Sequence, residues 1–87
     1  MKKLEWVGAS YGWVARVTVH HGDWGGNMRF ADVYMPGVWT RLDGRLEKER
    51  VKKFIVEFAA IRHPIHEFDT EQEALVYVES IFALESL

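Results

Sequence analysis

The sequence predicts an α+β protein in which an antiparallel β-meander of three or four strands precedes two C-terminal helices. Three observations support this fold class. Residues 13–42 alternate apolar and polar side chains between glycine-containing turns, residues 49–61 gather apolar side chains on one helical side, and residues 69–85 begin with a helix-capping pattern. The length of 87 residues suits a single domain, residues 1–87, with one hydrophobic core.

Turn residues divide the meander into strands. Residues 2–7 fit a short edge strand, and further strands are predicted at residues 13–20, 27–35 and 38–42. The segments between them contain glycine, asparagine, aspartate or proline, which are typical of turns. Pro36-Gly37 favours a type II turn, which matches the twist of paired strands poorly, so an irregularity is expected there.

The alternation also predicts how the first hairpin pairs. We expect residues whose numbers add to 48 to lie opposite one another, because this register places Arg16 directly opposite Asp32. Trp13, Val17 and Val33 then share the face that the helices cover. The opposite face would carry the remaining aromatic residues of the two strands.

Residues 49–61 allow two interpretations. On a helical wheel the apolar side chains share one side and only Val56 is misplaced, which favours a helix. The segment FIVEF, residues 54–58, is strongly β-prone. The alternative fold is therefore an antiparallel sheet of four or five strands with one C-terminal helix, in which residues 50–61 form a strand. Pro64 ends the element in either case.

The C-terminal helix has the clearest start signal in the chain. Thr70 and Glu73 fit a capping box, and acidic residues lie in the first turn, where they interact favourably with the helix dipole. An apolar stripe follows at Ala74, Leu75, Val78, Ile81 and Phe82. We therefore predict a helix that packs on the sheet.

Composition excludes several classes of function. The chain has no cysteine, which excludes disulfides and thiolate metal sites, and no apolar run of roughly 18 residues that would span a membrane. We expect a cytoplasmic protein without a membrane partner, because no export signal is recognised. The net charge of −2 disfavours nucleic acid as a partner, although residues 1–62 are basic and residues 63–87 are acidic.

Histidines provide the main candidates for chemistry. His20, His21, Asp23, His63 and His66 would hold a metal ion if the fold brought them together, and a metal-dependent hydrolase would use them. Their spacing matches no metal-binding pattern, and no nucleophile or phosphate-binding motif is present. We therefore predict that the protein is not an enzyme and binds neither a metal nor a cofactor.

The aromatic residues are the stronger clue. All four tryptophans fall within the first 39 residues, and the outer face of the predicted sheet combines aromatic side chains with arginine. We predict a contact surface made of Arg16, Trp24, Phe30, Tyr34, Trp39 and Arg41. Trp, Tyr and Arg are enriched where proteins bind proteins, so a small protein-binding or inhibitor protein is the favoured function.

Two alternatives remain for this surface. Aromatic rings beside arginine also bind single-stranded nucleic acid by base stacking. Alternatively, a helix or a second copy of the chain covers the face, in which case the same residues are core or form a homodimer.

A resemblance adds to this prediction. The tail FDTEQEALVYVESI resembles the strand–cap–helix ending of many small α+β proteins. The size and layout are similar to those of small phage-encoded inhibitors, including some anti-CRISPR proteins. That resemblance implies a stand-alone protein that binds another protein or a larger complex, and it assigns no site residues.

Overall fold

The computed structural model describes residues 2–21, 24–42, 45–59 and 65–85, apart from the side chains of His20, His21 and Trp24. These ranges contain seven strands and one helix. In chain order they are β1 (Lys2–Ala9), β2 (Gly12–His21), β3 (Trp24–Tyr34), β4 (Trp39–Thr40), β5 (Glu49–Arg50), β6 (Phe54–Phe58), β7 (His66–Phe68) and α1 (Glu71–Glu85).

Five strands form one antiparallel sheet in the order β1-β2-β3-β6-β7, and α1 packs on one face of it. This architecture is the alternative fold with a single C-terminal helix, and the prediction of two helices was wrong. Strand β6 pairs with β3 on one edge and with β7 on the other. Its two faces are covered by other parts of the chain: Val56 and Phe58 pack towards α1, and Ile55 packs against the arm on the opposite face. A segment that is apolar on both faces suits a central strand. Such a segment cannot place all its apolar side chains on one side of a helix, which explains why Val56 was misplaced on the helical wheel.

The chain leaves the sheet after β3. Gly37 has a φ of 94°, and the Val38 amide lies 3.5 Å from the carbonyl of Met35, as in the type II turn that Pro36-Gly37 favours. The predicted strand at residues 38–42 therefore does not extend the sheet. Strand β4 pairs with β5 instead, and we call residues 38–42 and 45–53 the arm.

Two apolar clusters hold the layers together. The larger lies between the sheet and α1 and has seven buried residues: Ala15, Ala31, Val33, Val56, Phe58, Ala74 and Val78. The smaller lies between the opposite sheet face and the arm and buries Tyr34, Leu42, Val51 and Ile55. The arm therefore covers part of the face that was expected to be open.

The register of the first hairpin differs from the predicted one. Val14 lies opposite Asp32, and a β-bulge after Ala15 then places Arg16 opposite Arg29. The predicted pairing of Arg16 with Asp32 was therefore wrong. The numbers of paired residues already add to 46 at Val14, not to 48, and the extra residue of the bulge, Phe30, shifts the strands by one more residue. Trp13 and Val33 nevertheless belong to the helix-side cluster, which confirms their predicted face.

The start of α1 matches its prediction. The Glu73 amide donates a hydrogen bond to the Thr70 hydroxyl oxygen over 3.2 Å, and that hydroxyl donates to the Glu73 carboxylate over 2.8 Å. Ala74 and Val78 from the predicted apolar stripe are fully buried. Local capping and tertiary packing therefore agree on where this helix begins.

Gly12 is required where β2 begins, and its substitution provides a test of the fold. Its φ is +149°, and a Cβ atom there would lie 2.0 Å from the carbonyl oxygen of Val33. We expect Gly12→Ala to lower the free energy of unfolding by about 3 kcal/mol, measured by chemical denaturation. Gly26→Ala is the matched control, because a Cβ atom at Gly26 meets nothing within 4 Å. Equal stability of the two variants would contradict the described register.

Candidate functional site

The site lies where the arm meets the sheet. A cleft of about 320 Å³ opens there, lined by Ser10, Tyr11, Arg29, Tyr34, Val38, Trp39 and Thr40. Tyr34 ends β3, Trp39 and Thr40 form β4, and Tyr11 lies in the turn between β1 and β2. The turn at Pro36-Gly37 brings β4 back over the end of β3, so residues from three chain segments meet at this cleft.

A buried carboxylate lies beneath the cleft. Asp32 is only 4% exposed, and the Tyr11 hydroxyl donates a 2.5 Å hydrogen bond to its Oδ1. The Nε of Arg29 lies 3.7 Å from the same oxygen. A buried carboxylate is costly unless it is paired, so these two contacts make its burial tolerable. They also fix the ring of Tyr11 in position.

The tyrosines form one wall of the cleft. The rings of Tyr11 and Tyr34 stack with a centroid distance of 4.7 Å. Burial, followed by the hydrogen bond to Asp32, raises the pKa of Tyr11 to about 12. Burial also raises the pKa of Tyr34, and its hydrogen bond with Thr40 acts in the opposite direction. Both tyrosines are therefore neutral hydroxyls at physiological pH, and neither is an activated phenolate.

Trp39 forms the rim. Trp39 is 63% exposed. This exposure is unusual because tryptophan has one of the largest side chains and gains most from burial. It pairs with Arg50 across the arm, so its backbone is held by the β4–β5 pair. An indole presented to solvent on a paired strand beside a cleft is typical of a contact residue.

Several predicted contact residues lie together and others do not. Tyr34 and Trp39 line the cleft. Arg16 lies on the same sheet face opposite Arg29, and its guanidinium donates to the side-chain oxygen of Asn27 over 2.9 Å. Arg41 is exposed in the arm, where its Nε donates to the carbonyl of Leu46. These four residues remain predictions as contacts, and two of them border the cleft directly.

Phe30 lies on the other side of the sheet. Its ring makes edge contacts with Phe58 and Phe82, at centroid distances of 5.5 and 5.8 Å. The predicted outward position of Phe30 was wrong, because the bulge turns its side chain towards α1. The side chain of Trp24 lies outside the described parts of the chain, so its predicted role is not tested.

Sequence reasoning missed Tyr11 and Arg29 as site residues. Tyr11 was assigned to a turn. The predicted register, in which paired numbers add to 48, placed Arg29 opposite Val19 on the core face. A tyrosine next to Gly12 and a buried aspartate twenty-one positions later give no local pattern. Arg29 itself was the available signal that the predicted register was wrong. Arginine is rarely buried in an apolar core, yet that register placed it there opposite Val19.

Of the five candidate metal ligands, only His66 has a described side chain. The described residues contain no group of three or more His, Asp or Glu side chains able to hold a metal. His66 lies in β7, with its ring 4.8 Å from that of Tyr77. The side chains of His20 and His21, together with Asp23 and His63, lie outside the described part of the chain.

Comparison with models of known protein families, with curated proteins and with solved structures returns no match. Within the described ranges, no helix has the length and apolar character needed to span a membrane. The site must therefore be interpreted from its own geometry.

The bond between Tyr11 and Asp32 can be tested through the pH dependence of stability. Tyr11→Phe should lower the free energy of unfolding near neutral pH by about 1–2 kcal/mol, because it leaves a buried carboxylate without its donor. The raised pKa means that the folded state holds the Tyr11 proton more tightly than the unfolded chain. The stabilisation of the folded state by the Tyr11 hydroxyl is therefore complete below pH 10 and is lost as the pH rises to about 12.

Chemical denaturation of both proteins from pH 7 to pH 12 measures the effect. The difference between wild type and Tyr11→Phe should shrink above pH 10, because only wild type carries the Tyr11 hydroxyl. A difference that stays constant over this range would show that the hydroxyl does not titrate as described. The double variant with Asp32→Asn should be less than additive if the two groups interact.

Proposed function

We propose that the chain is a small non-enzymatic protein-binding protein, of the type that inhibits a larger complex, and that its contact surface is centred on Trp39. The observation that carries this proposal is the exposed indole at the rim of the cleft. Leaving an indole in water forgoes the stabilisation that burial gives, and a partner that covers it recovers that free energy. Tyr34 and Arg29 beside it are the other residue types that dominate protein interfaces.

Charge supports an acidic partner surface. Residues 38–53 contain six Lys or Arg and three Asp or Glu, a balance of +3. Arg45, Lys48, Arg50, Lys52 and Lys53 are all exposed. Arg45 pairs with Glu49 at 2.7 Å, and Lys53 pairs with Asp69 at 3.1 Å. The positive arm would speed the encounter with an acidic protein, and Trp39 would supply most of the affinity.

One observation favours a second candidate, single-stranded nucleic acid. An aromatic ring next to a run of exposed cations is the combination that binds an unpaired base and its phosphates. The acidic net charge still ranks this candidate below protein binding.

The proposal predicts the effect of removing the indole. Trp39→Ala should weaken partner binding by about 30-fold, because truncating a central tryptophan typically costs 2 kcal/mol or more. The free energy of unfolding should change by less than about 1 kcal/mol, because the residue is largely exposed. Capture from a lysate of the natural host identifies the proteins retained by wild type, and titration with a purified one gives the affinity.

Val76→Ala is the matched control, because Val76 is 49% exposed on α1 and is absent from the cleft. It should retain the same partner as wild type. A partner held equally by Trp39→Ala would contradict the proposed surface. Unfolding of Trp39→Ala would show that the indole is structural, and the proposal would then fail.

The nucleic-acid candidate has its own test. A single-stranded oligonucleotide should quench tryptophan fluorescence at low salt, and the logarithm of the affinity should fall linearly with the logarithm of salt concentration. Trp39→Ala should lose the quenching, and Lys52→Glu should reduce the salt dependence. No response at low salt eliminates this candidate and leaves protein binding in place.

A further inference from the structure

Strand β1 is the end strand of the sheet. It has eight residues, pairs with β2 along its whole length without a register shift, and contains no proline. None of the described strands lies beyond it. A long, regular edge strand presents a row of unpaired backbone groups, and such an edge pairs readily with another strand of suitable sequence.

The pairing pattern shows which backbone groups of β1 point outwards. The Met35 amide donates to the Tyr11 carbonyl, so the odd-numbered residues at the start of β2 direct their backbone groups towards β3. Even-numbered residues of β2 therefore face β1, and Arg16 lies opposite Glu5. Since backbone groups alternate along a strand, the odd residues of β1 bond to β2. The groups of Lys2, Leu4, Trp6 and Gly8 point to the open edge.

We propose that two copies of this chain pair through their β1 strands, antiparallel, with Leu4 of each copy opposite Leu4 of the other. This register makes residues whose numbers add to eight lie opposite each other. It uses Lys2, Leu4 and Trp6, the residues whose backbone groups point to the open edge, as the hydrogen-bonded positions. The proposed dimer is separate from the Trp39 surface and does not depend on the proposed function.

Charge selects both the partner and the register. Lysine on an edge strand normally prevents pairing with other strands. Here Lys3 and Glu5 are two positions apart on the same face, so in the proposed register each lies opposite the other residue type in the second copy. These are non-hydrogen-bonded pairs, whose Cα atoms approach to about 4.5 Å.

The neighbouring registers are less favourable. Side chains alternate between the two faces of a strand. The register can therefore change only in steps that keep every side chain on its own face of the sheet. The next such register would place Glu5 opposite Glu5, which is repulsive. Lys3 and Glu5 form an ion pair of 3.9 Å within one chain, and because both side chains are exposed they are accessible to a second copy.

A charge-reversal series tests the proposal. Sedimentation velocity over a dilution series should show that wild type self-associates. Lys3→Glu and Glu5→Lys should each lower the association constant by about tenfold or more, because each creates two like-charge pairs. The double variant Lys3→Glu/Glu5→Lys should restore it. Circular dichroism verifies that each variant is folded.

Single-cysteine variants test the register, because the natural chain has no cysteine. Under mild oxidation Leu4→Cys should form a disulfide-linked dimer, since opposed hydrogen-bonded residues have Cα atoms about 5.5 Å apart, within disulfide range. Glu5→Cys and Trp6→Cys should cross-link far more slowly. Faster cross-linking at either of those positions would overturn the register.

A monomeric wild type at every concentration would overturn the proposal, as would a double charge reversal that associates no better than the single variants. Trp39→Ala should self-associate like wild type. The two proposals can therefore fail separately. Self-association without partner binding through Trp39 would contradict only the proposed function, and partner binding by a monomer would contradict only this inference.

Discussion

The change of chain direction at Pro36-Gly37 is the constraint on which the rest of the structure depends. A turn with a positive φ at its second central residue does not follow the twist of a hairpin, so the chain after β3 leaves the sheet. One edge of β3 is therefore free to pair with β6. Strand β7 pairs with the other edge of β6, and α1 follows β7 in the chain. The displaced segment folds back as the arm and buries Leu42 and Val51 against the sheet.

Asp32 ties the turn between β1 and β2 to β3 at the wall of the cleft. A carboxylate that is almost fully buried requires donors, and Tyr11 provides one from a turn that would otherwise be free to vary. Tyr11 in turn stacks on Tyr34, so the two rings of the aromatic wall support each other. In the proposed function, a preformed wall would lower the conformational entropy lost on binding, and the exposed Trp39 would contact the partner beside that wall.

The predictable parts of the fold were those encoded locally. Thr70 and Glu73 specify the helix start within four residues, and alternation assigns Trp13 to the helix side. The features that failed depend on distant segments. The bulge beside Phe30 is recognisable only once Phe58 and Phe82 are in place to receive its ring, and the strand at residues 54–58 is decided by its two neighbours in the sheet. The cleft combines both kinds of residue. Trp39 was predicted as a contact residue from its place on the outer face of the meander, whereas Tyr11 enters through a long-range hydrogen bond to Asp32.

The bulge and the arm together give the two faces of the sheet different character. The bulge moves the Phe30 ring to the helix side, where it completes an apolar cluster, and leaves Arg16 and Arg29 on the arm side. Residues 65–85 contain no Lys or Arg, so the surface of β7 and α1 is acidic, whereas the arm is basic. The acidic partner that we propose would therefore be repelled from the helix side and attracted to the arm side. The only largely exposed tryptophan in the described parts of the chain, Trp39, is located on the arm side. In the proposed function, charge would orient the encounter with the partner, and burial of the Trp39 indole would set the lifetime of the complex.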